Sequence, residues 1–195
     1  GVLSADPKYY DDAVKLEQIS YRDAIELTYY GATVIHPKTI KPLENRQIPL
    51  RVASFLAPGD KGTLIGDFPT TKPLVPCFIF KPNQILFSIA AKDFSFIAED
   101  SLSTIFGLFV KHHVKVNLMQ NSAISFSVCM DNDPLKIPEL SKELSEYYTV
   151  RYNENLRLIT IRHYFPSTVE QLTKGKVILL EQRSRQTAQL VIRED

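Results

Sequence analysis

Residues 84–130 read QILFSIAAKDFSFIAEDSLSTIFGLFVKHHVKVNLMQNSAISFSVCM, and three kinds of periodicity follow one another along this stretch. The compact apolar run at 84–90 predicts a strand. Residues 101–112 have one apolar face at helical spacing, which predicts a helix whose first turn Asp100 or Ser101 is expected to cap. Alternating apolar residues over 114–118 and 124–130 predict two half-buried strands.

This β-α-β-β order predicts a larger fold when the next residues are added. A helical pattern at 134–148 and a following strand complete βαββαβ, the order of a ferredoxin-like sandwich with helices on one antiparallel sheet. A weaker β-α-β-β pattern over 156–192 indicates a second unit of the same kind. Because it has no closing helix and strand, this second unit is incomplete unless it shares strands with the first. The predicted fold class is α+β.

The residues before this region predict a separate piece of α/β structure. Ser20 and Asp23 resemble an acidic capping box, and the helix that they begin is expected to end at Gly31. Pro37 suits the start of a short helix, and 48–55 reads as a strand. Proline and glycine then interrupt any sustained period up to Asn83. We therefore predict domain boundaries at 1–58, a linker at 59–83, and modules at 84–153 and 154–195.

Composition excludes several classes of partner. The chain has 23 Lys plus Arg against 22 Asp plus Glu, and a net charge of +1 gives no reason to expect nucleic acid or an anionic membrane as partner. No apolar run approaches the roughly 20 residues that span a bilayer. Two cysteines without metal-ligand spacing predict neither a disulfide framework nor a metal site, and they favour a cytoplasmic setting. The chain begins without methionine and ends directly after a strand pattern, so we expect a fragment of a longer protein.

Motifs for catalysis are absent from the sequence. It contains no GxxxxGK[ST], GxGxxG, GxSxG or HExxH pattern. His112 and His113 follow a predicted helix, where histidine complements the helix dipole. His36 precedes Pro37 and is interpreted as a capping or packing residue. Taken residue by residue, the sequence predicts no catalytic group.

Four segments carry a resemblance to a known family: GVLSADP at 1–7, ISYRDAIEL at 19–27, YGATVIHPKTI at 30–40 and NRQIPLRVASF at 45–55. Together they resemble the C-terminal end of the amino-acid-kinase domain of aspartate kinases. Residues 85–130, with the partner that starts at Leu156, resemble the paired ACT regulatory modules of the lysine-responsive branch. The resemblance implies ACT modules preceded by an α/β remnant of the kinase domain, which would be residues 1–58.

For the nucleotide site, the resemblance implies ATP-contacting positions at Leu3, Lys8, Thr33 and Val34. Relatives commonly have tyrosine at the position of Leu3 and lysine at that of Thr33, so a hydroxyl and a cation are missing here. The family's Gly-rich KxGGT motif does not occur in this chain. The resemblance therefore implies a parent enzyme that uses ATP with Mg²⁺, and a fragment that is inactive by itself and binds no cofactor.

For regulation, the resemblance implies an amino-acid effector site at seven positions, namely Ser95, Ala98, Leu102, Val116, Asn117, Ser122 and Ala123. Lysine-responsive relatives carry acidic residues where Asn117 and Ala123 stand, so weak lysine binding is expected and the effector, lysine or threonine, stays open. The apolar strands at 114–119 and 124–130 have few charges to protect an open edge. The chain is therefore expected to form a homodimer through its ACT modules.

The implied function is the regulatory portion of an aspartate kinase, which phosphorylates L-aspartate with ATP to 4-phospho-L-aspartate in lysine, threonine and methionine biosynthesis. One alternative is a free-standing ACT-like amino-acid sensor without kinase activity. A second is a related amino-acid kinase that acts on another carboxylate or carbamate.

Overall fold

The computed structural model describes residues 1–33, 35–69, 74–93 and 95–194. Its first elements are β1 (Gln18–Ser20), α1 (Tyr21–Tyr30), α2 (Pro37–Asn45), β2 (Leu50–Val52) and β3 (Thr63–Gly66). They are followed by β4 (Cys77–Ala91), α3 (Glu99–Lys111), β5 (Val116–Asn121), β6 (Ser125–Asp131), α4 (Lys136–Tyr147), β7 (Tyr148–Arg162), α5 (Pro166–Thr173), β8 (Ile178–Arg183) and β9 (Thr187–Arg193).

The chain divides into two compact units. The first unit contains Gly1–Phe80, Ile159–Gly175 and Gln182–Gln189, and the second contains Lys81–Leu158, Lys176–Glu181 and Leu190–Asp195. Neither unit is continuous in sequence, because β4 and β7 each pass from one unit into the other.

The first unit has a three-stranded sheet in the order β1-β3-β2. β1 runs parallel to β3 and β2 antiparallel to it. Ser20 caps α1 as predicted, since its hydroxyl accepts from the Asp23 N–H, and Gly31 ends the helix with φ 115°. α1 packs its buried residues Tyr21, Ala24 and Leu27 into a core that also contains Ile40 and Ile65.

The second unit contains the predicted ferredoxin-like arrangement. Its elements follow the order β4-α3-β5-β6-α4-β7, and the sheet has the strand order β5-β6-β4-β7-β9-β8. β6 pairs antiparallel with both β4 and β5. The fully buried Phe87, Ile105 and Leu144 come from a strand and two helices and meet in one core. The α+β class and the ferredoxin-like fold are confirmed.

The β-α-β-β repeat is visible in matching details of the backbone. The turn between β5 and β6 is closed by Ser122 N–H to Ser125 O at 2.8 Å, and the turn between β8 and β9 by Ser184 N–H to Thr187 O at 2.8 Å. Asn83 and Asn155 both adopt positive φ, and each carbonyl accepts from the residue after a strand, Asn132 and Glu194 respectively. β7 therefore closes the first βαββαβ unit and begins the second pattern.

Several local predictions differ from the structure. α3 begins at Glu99 with Ala98 at the N-cap and no side-chain cap, so the cap at Asp100 or Ser101 was wrong. The predicted linker at 59–83 contains β3 and the start of β4, because short strands between prolines show no measurable period. β6 lies between β5 and β4 and is not an edge strand. The boundaries 1–58, 59–83, 84–153 and 154–195 stay a prediction.

Candidate functional site

Two of the four predicted nucleotide positions line one pocket. Leu3 and Thr33 both contribute to a cavity of about 380 Å³ in the first unit, whose wall includes 1–7 and the end of α1 at Gly31. Lys8 is not among its lining residues, and Val34 lies outside the described residues. The cavity brings two of the four positions together, and the contact of all four with ATP stays a prediction.

Hydrogen bonds hold the N-terminal loop that forms this wall. Ser4 donates its N–H to Val14 O at 2.8 Å, and Leu16 donates to Val2 O at 2.9 Å. Val2 N–H is bound by the buried Thr63 hydroxyl at 2.7 Å. Lys8 lies at the exposed tip, where Asp6 accepts from its N–H and its ammonium lies 5.4 Å from the Tyr9 ring centroid. The loop is therefore ordered, but its lysine is directed to an aromatic ring at the surface.

The sequence reasoning missed an aromatic wall of the same pocket. Phe78 and Phe80 line it, and Phe78 stacks on Tyr10 with ring centroids 4.5 Å apart. The apolar run Phe78-Ile79-Phe80, all three residues of which line the pocket, was the available signal. Among the described lining residues there is no lysine or arginine. The pocket suits an aromatic base better than a phosphate group, which needs cationic partners.

The predicted effector positions divide into three groups. Ile97 donates its N–H to Ala123 O at 3.0 Å and so joins the loop before α3 to the β5–β6 turn. Ser95, Ala98, Ser122 and Ala123 lie on this exposed loop and turn. Leu102 and Val116 pack against the core instead. A continuous exposed surface is therefore formed by four of the seven residues.

Asn117 belongs to a different polar network. Its Oδ1 accepts from Lys81 Nζ at 2.9 Å, and its Nδ2 donates to Gln84 Oε1 at 2.8 Å and to Asp131 Oδ1 at 2.9 Å. Every polar atom of the Asn117 side chain thus has an internal partner. Burial lowers the pKa of the half-buried Lys81, and Asp131 opposes that shift. The ammonium of Lys81 is thus the cation that Asn117 binds in this structure.

A buried ionic cluster in the first unit was not predicted from the sequence. Arg162 donates to Asp23 Oδ1 from Nε and Nη2 at 3.3 and 3.1 Å, and its Nη1 lies 2.8 Å from Glu26 Oε2. His163 Nε2 lies 3.1 Å from the same Asp23 Oδ1. The Arg162 side chain is 6% exposed. These residues are about 140 positions apart in sequence, so no local pattern could have paired them.

Asp23 is the centre of this cluster. Burial by itself raises the pKa of Asp23, but hydrogen bonds from His163, Ser20 and Arg162 outweigh burial and hold that pKa at about 2. The Asp23 carboxylate is therefore ionised at neutral pH and accepts every hydrogen bond that it makes. Arg162 Nη1 also donates to the Thr187 hydroxyl at 3.2 Å.

The other residues considered from the sequence have structural surroundings. His36 caps α2, where its Nδ1 accepts from Lys38 N–H. His112 ends α3 and lies 2.7 Å from Glu143 Oε2. Cys77 and Cys129 are free and buried, and burial raises the pKa of each thiol to about 12. No group of three or more His, Cys, Asp or Glu in the described part of the chain is arranged to hold a metal ion.

None of the five described helices has the length and apolar character needed to cross a bilayer.

A sequence model of the Amino acid kinase family matches residues 1–54. Lysine-sensitive aspartokinase 3 of Escherichia coli (strain K12) is 27% identical over 168 residues, which are 83% of this chain and 37% of that protein. Aspartokinase 1, chloroplastic, of Arabidopsis thaliana is 29% identical over 184 residues, 92% of this chain and 29% of that protein. This chain is homologous to the aspartate kinases. It spans about a third of the length of these relatives.

Solved aspartate kinases have the same fold over nearly the whole chain. The Clostridium acetobutylicum enzyme superimposes with a TM-score of 0.85 at 19% identity, covering 99% of this chain and 48% of that one. Escherichia coli aspartokinase III, in complex with lysine and aspartate, gives 0.81 at 23% identity and covers 99% and 46%. This homologue thus reproduces their architecture from its first residues through the six-stranded sheet.

Proposed function

We propose that this chain is the C-terminal part of an aspartate kinase, with the end of the catalytic domain at 1–58 and regulatory ACT modules after it. One observation carries the proposal: the amino acid kinase match at 1–54 is followed, in the same chain, by a ferredoxin-like sheet in the arrangement of solved aspartate kinases. The parent enzyme would transfer the γ-phosphate of ATP, bound with Mg²⁺, to the β-carboxylate of L-aspartate in the cytoplasm.

The full-length parent tests this assignment directly. An aspartate-hydroxamate assay with Mg-ATP should show product that depends on aspartate. Product with another carboxylate, and none with aspartate, would assign the parent to a related kinase. An open reading frame that does not extend upstream would favour the free-standing sensor.

By itself the chain should not phosphorylate aspartate. Phosphoryl transfer needs groups that neutralise charge on the transferred phosphoryl. The pocket that contains Leu3 and Thr33 has neither lysine nor arginine among its described lining residues. A coupled ADP-release assay should give equal rates with and without aspartate. An aspartate-dependent rate that is lost in Lys8→Ala would contradict the proposal.

A homodimer through β5 is the second part of the proposal. β5 is the outermost described strand on one side of the sheet, and Met119 in it is 49% exposed, while Ile124 beside it is 51% exposed. Light scattering at micromolar concentration should give about twice the chain mass of 22.2 kDa. Met119→Glu should yield the monomer. Ile178→Glu on β8, the outermost described strand on the other side, is the matched control and should leave the dimer intact.

An effector site on the loop before α3 and the β5–β6 turn is the third part. Free N–H groups at the start of α3 suit an amino-acid carboxylate. Lysine should bind weakly, because its ammonium would find no carboxylate at Ala123, and Asn117 already binds Lys81. The expected loss is roughly 5- to 150-fold in affinity.

Calorimetric titrations with lysine and threonine test this site. Ala123→Glu restores one carboxylate and should raise the affinity for lysine, whereas Asn117→Asp should pair with Lys81 and raise it less. Low-micromolar lysine binding to the unmodified chain would show that the missing carboxylates do not matter.

A further inference from the structure

The ionic cluster of the first unit joins two parts of the chain that lie far apart in sequence. Asp23 is on α1, within the residues that the amino acid kinase model matches. Arg162 is the last residue of β7, and His163 follows it in the second β-α-β-β pattern. The buried guanidinium of Arg162 therefore connects the segment that resembles a kinase domain to the second β-α-β-β pattern.

Arg162 holds α1 at two points. Its Nε and Nη2 donate to Asp23 Oδ1, and its Nη1 lies 2.8 Å from Glu26 Oε2. The two carboxylates are three positions apart on one face of the helix, where like charges repel each other. A planar guanidinium binds both at once, in a geometry that a lysine ammonium cannot reproduce. The position and the rotation of α1 therefore depend on Arg162.

The guanidinium is itself oriented from β9. Arg162 Nη1 donates to the Thr187 hydroxyl at 3.2 Å, and Thr187 is only 6% exposed. Thr187 is the first residue of β9, and its backbone N–H and carbonyl bind Ser184 across the β8–β9 turn. A displacement of this turn would move the acceptor of Arg162 and, through Arg162, the two carboxylates of α1.

The other end of α1 forms part of the proposed nucleotide pocket. Leu27, in the last turn of the helix, and residues 31–33 after it line that pocket. Hydrogen bonds attach these residues to the helix, since Ala32 donates its N–H to Leu27 O at 2.9 Å and the Thr28 hydroxyl lies 3.1 Å from Ile35 O. Because a short helix moves as a rigid element, a shift at its first turns is carried to the pocket wall.

We propose that Arg162 is a positioning residue of the proposed nucleotide pocket: from β7 it fixes α1, and α1 sets the place of Leu27 and Thr33 in the pocket wall. The identity of the ligand as ATP rests on the proposed function, whereas the hold of Arg162 on α1 does not. Arg162 is not among the described residues that line this pocket, so it acts through the helix and not by contact with the ligand.

Backbone NMR of the 195-residue chain tests the hold on α1 without any ligand. Arg162→Lys keeps the charge but loses the planar geometry, and it should shift the amide signals of residues 31–33. Arg157→Lys is the matched control, because Arg157 lies on the same strand and pairs with Glu194; it should leave those signals fixed. Thr187→Val should shift them less and Thr187→Ser should restore them, which tests the hold even if Arg162→Lys does not fold. Fixed signals of 31–33 in every variant that folds would refute the proposal.

Kinetics of the full-length parent test the consequence for the ligand. Arg162→Lys should raise the KM for ATP at least about 5-fold, with a smaller change in kcat and an unchanged KM for aspartate, because a displaced pocket wall weakens nucleotide binding. Thr187→Ser should retain the KM of the unmodified enzyme. An unchanged KM for ATP, or equal increases in both KM values, would contradict a positioning role. No aspartate-dependent product from the unmodified parent would refute the proposed function instead, and the NMR comparison would still decide whether Arg162 holds α1.

Discussion

The two turns that close the β-α-β-β patterns have the same hydrogen bonds but different surroundings. In each, a serine hydroxyl bonds the residue three positions on, Ser122 with Ser125 and Ser184 with Thr187. The first turn is exposed and joins the loop before α3. In the second, Thr187 is 6% exposed and its hydroxyl accepts from Arg162. The same local structure thus lies once at a solvent-exposed surface and once beside a buried charge.

The largest expected difference between the two regions follows from Asp23→Ala. Removing this carboxylate leaves Arg162 buried with one of its two ionic partners missing, which should lower the free energy of unfolding by about 3–5 kcal/mol. Glu143→Ala breaks the more exposed pair with Lys111 and His112 and should have a much smaller effect. Urea denaturation of both variants measures the difference, and equal losses would remove the distinction between buried and exposed clusters.

A smaller effect should distinguish the two turns themselves. Thr187→Val keeps the shape of the side chain but removes the acceptor of Arg162 Nη1, which should cost about 2 kcal/mol. Thr187→Ser retains the hydroxyl and should recover most of this stability. Ser125→Ala at the equivalent, half-buried position should change stability by less than about 0.5 kcal/mol. If thermal denaturation shows Thr187→Ser to be as unstable as Thr187→Val, the hydroxyl is not the cause.

Acid should weaken the buried cluster over a defined range of pH. The pKa of Asp23 is lowered from 3.8 to about 2, so its contribution to stability is complete above pH 3.8 and is lost as the pH falls through about 2. This lowering by nearly two pKa units corresponds to a contribution of about 2 kcal/mol. Denaturation curves between pH 5 and pH 2, with Asp23→Asn as control, should converge at the acid end. Curves that stay parallel would show that Asp23 is not the titrating group.

The smallest effect should be the same in both turns. Ser122→Ala and Ser184→Ala each remove a hydroxyl that bonds within its own turn, and each should cost about 0.5–1 kcal/mol. Equal losses of stability in the two variants would show that the two turns are equivalent. The larger effects expected at Thr187 would then come from its contact with Arg162. A loss of stability in Ser184→Ala alone would show that Ser184 also contributes to the buried cluster.

Local signals explain which parts of the fold could be predicted. The cap at Ser20, the end of α1 at Gly31 and the helix of Leu102 and Ile105 all depend on residues a few positions apart. The cap of α3 was misplaced because Asp100 and Ser101 have side chains that suit an N-cap, whereas the actual N-cap residue, Ala98, has none. The position of Ala98 follows from the loop before α3, which the hydrogen bond from Ile97 to Ala123 fixes. Tertiary contacts decided that boundary.

The sites were predictable to a smaller degree, for a physical reason. Leu3 and Thr33 line one pocket because the N-terminal loop and the end of α1, to which they belong, contribute to one small core; their contact with ATP stays a prediction. Asn117, in contrast, was assigned from its place in a strand, and only its contacts show that Lys81 occupies it. The Asp23–Arg162–His163 cluster needed the fold itself, since long-range ion pairs leave no periodic pattern in a sequence.

Leu27 and Cys77 each line two cavities of the first unit, the one with Leu3 and Thr33 and a second one that Ser20, Asp23 and His163 also line. Both side chains are buried, so neither has free volume into which it moves without displacing a neighbour. A molecule that pushes Leu27 from one side must change the room on the other. By thermodynamic reciprocity, the factor by which an occupant of the first cavity alters affinity in the second equals the factor in the opposite direction. Any binding in the two cavities would therefore be coupled through Leu27 of α1 and Cys77 of β4.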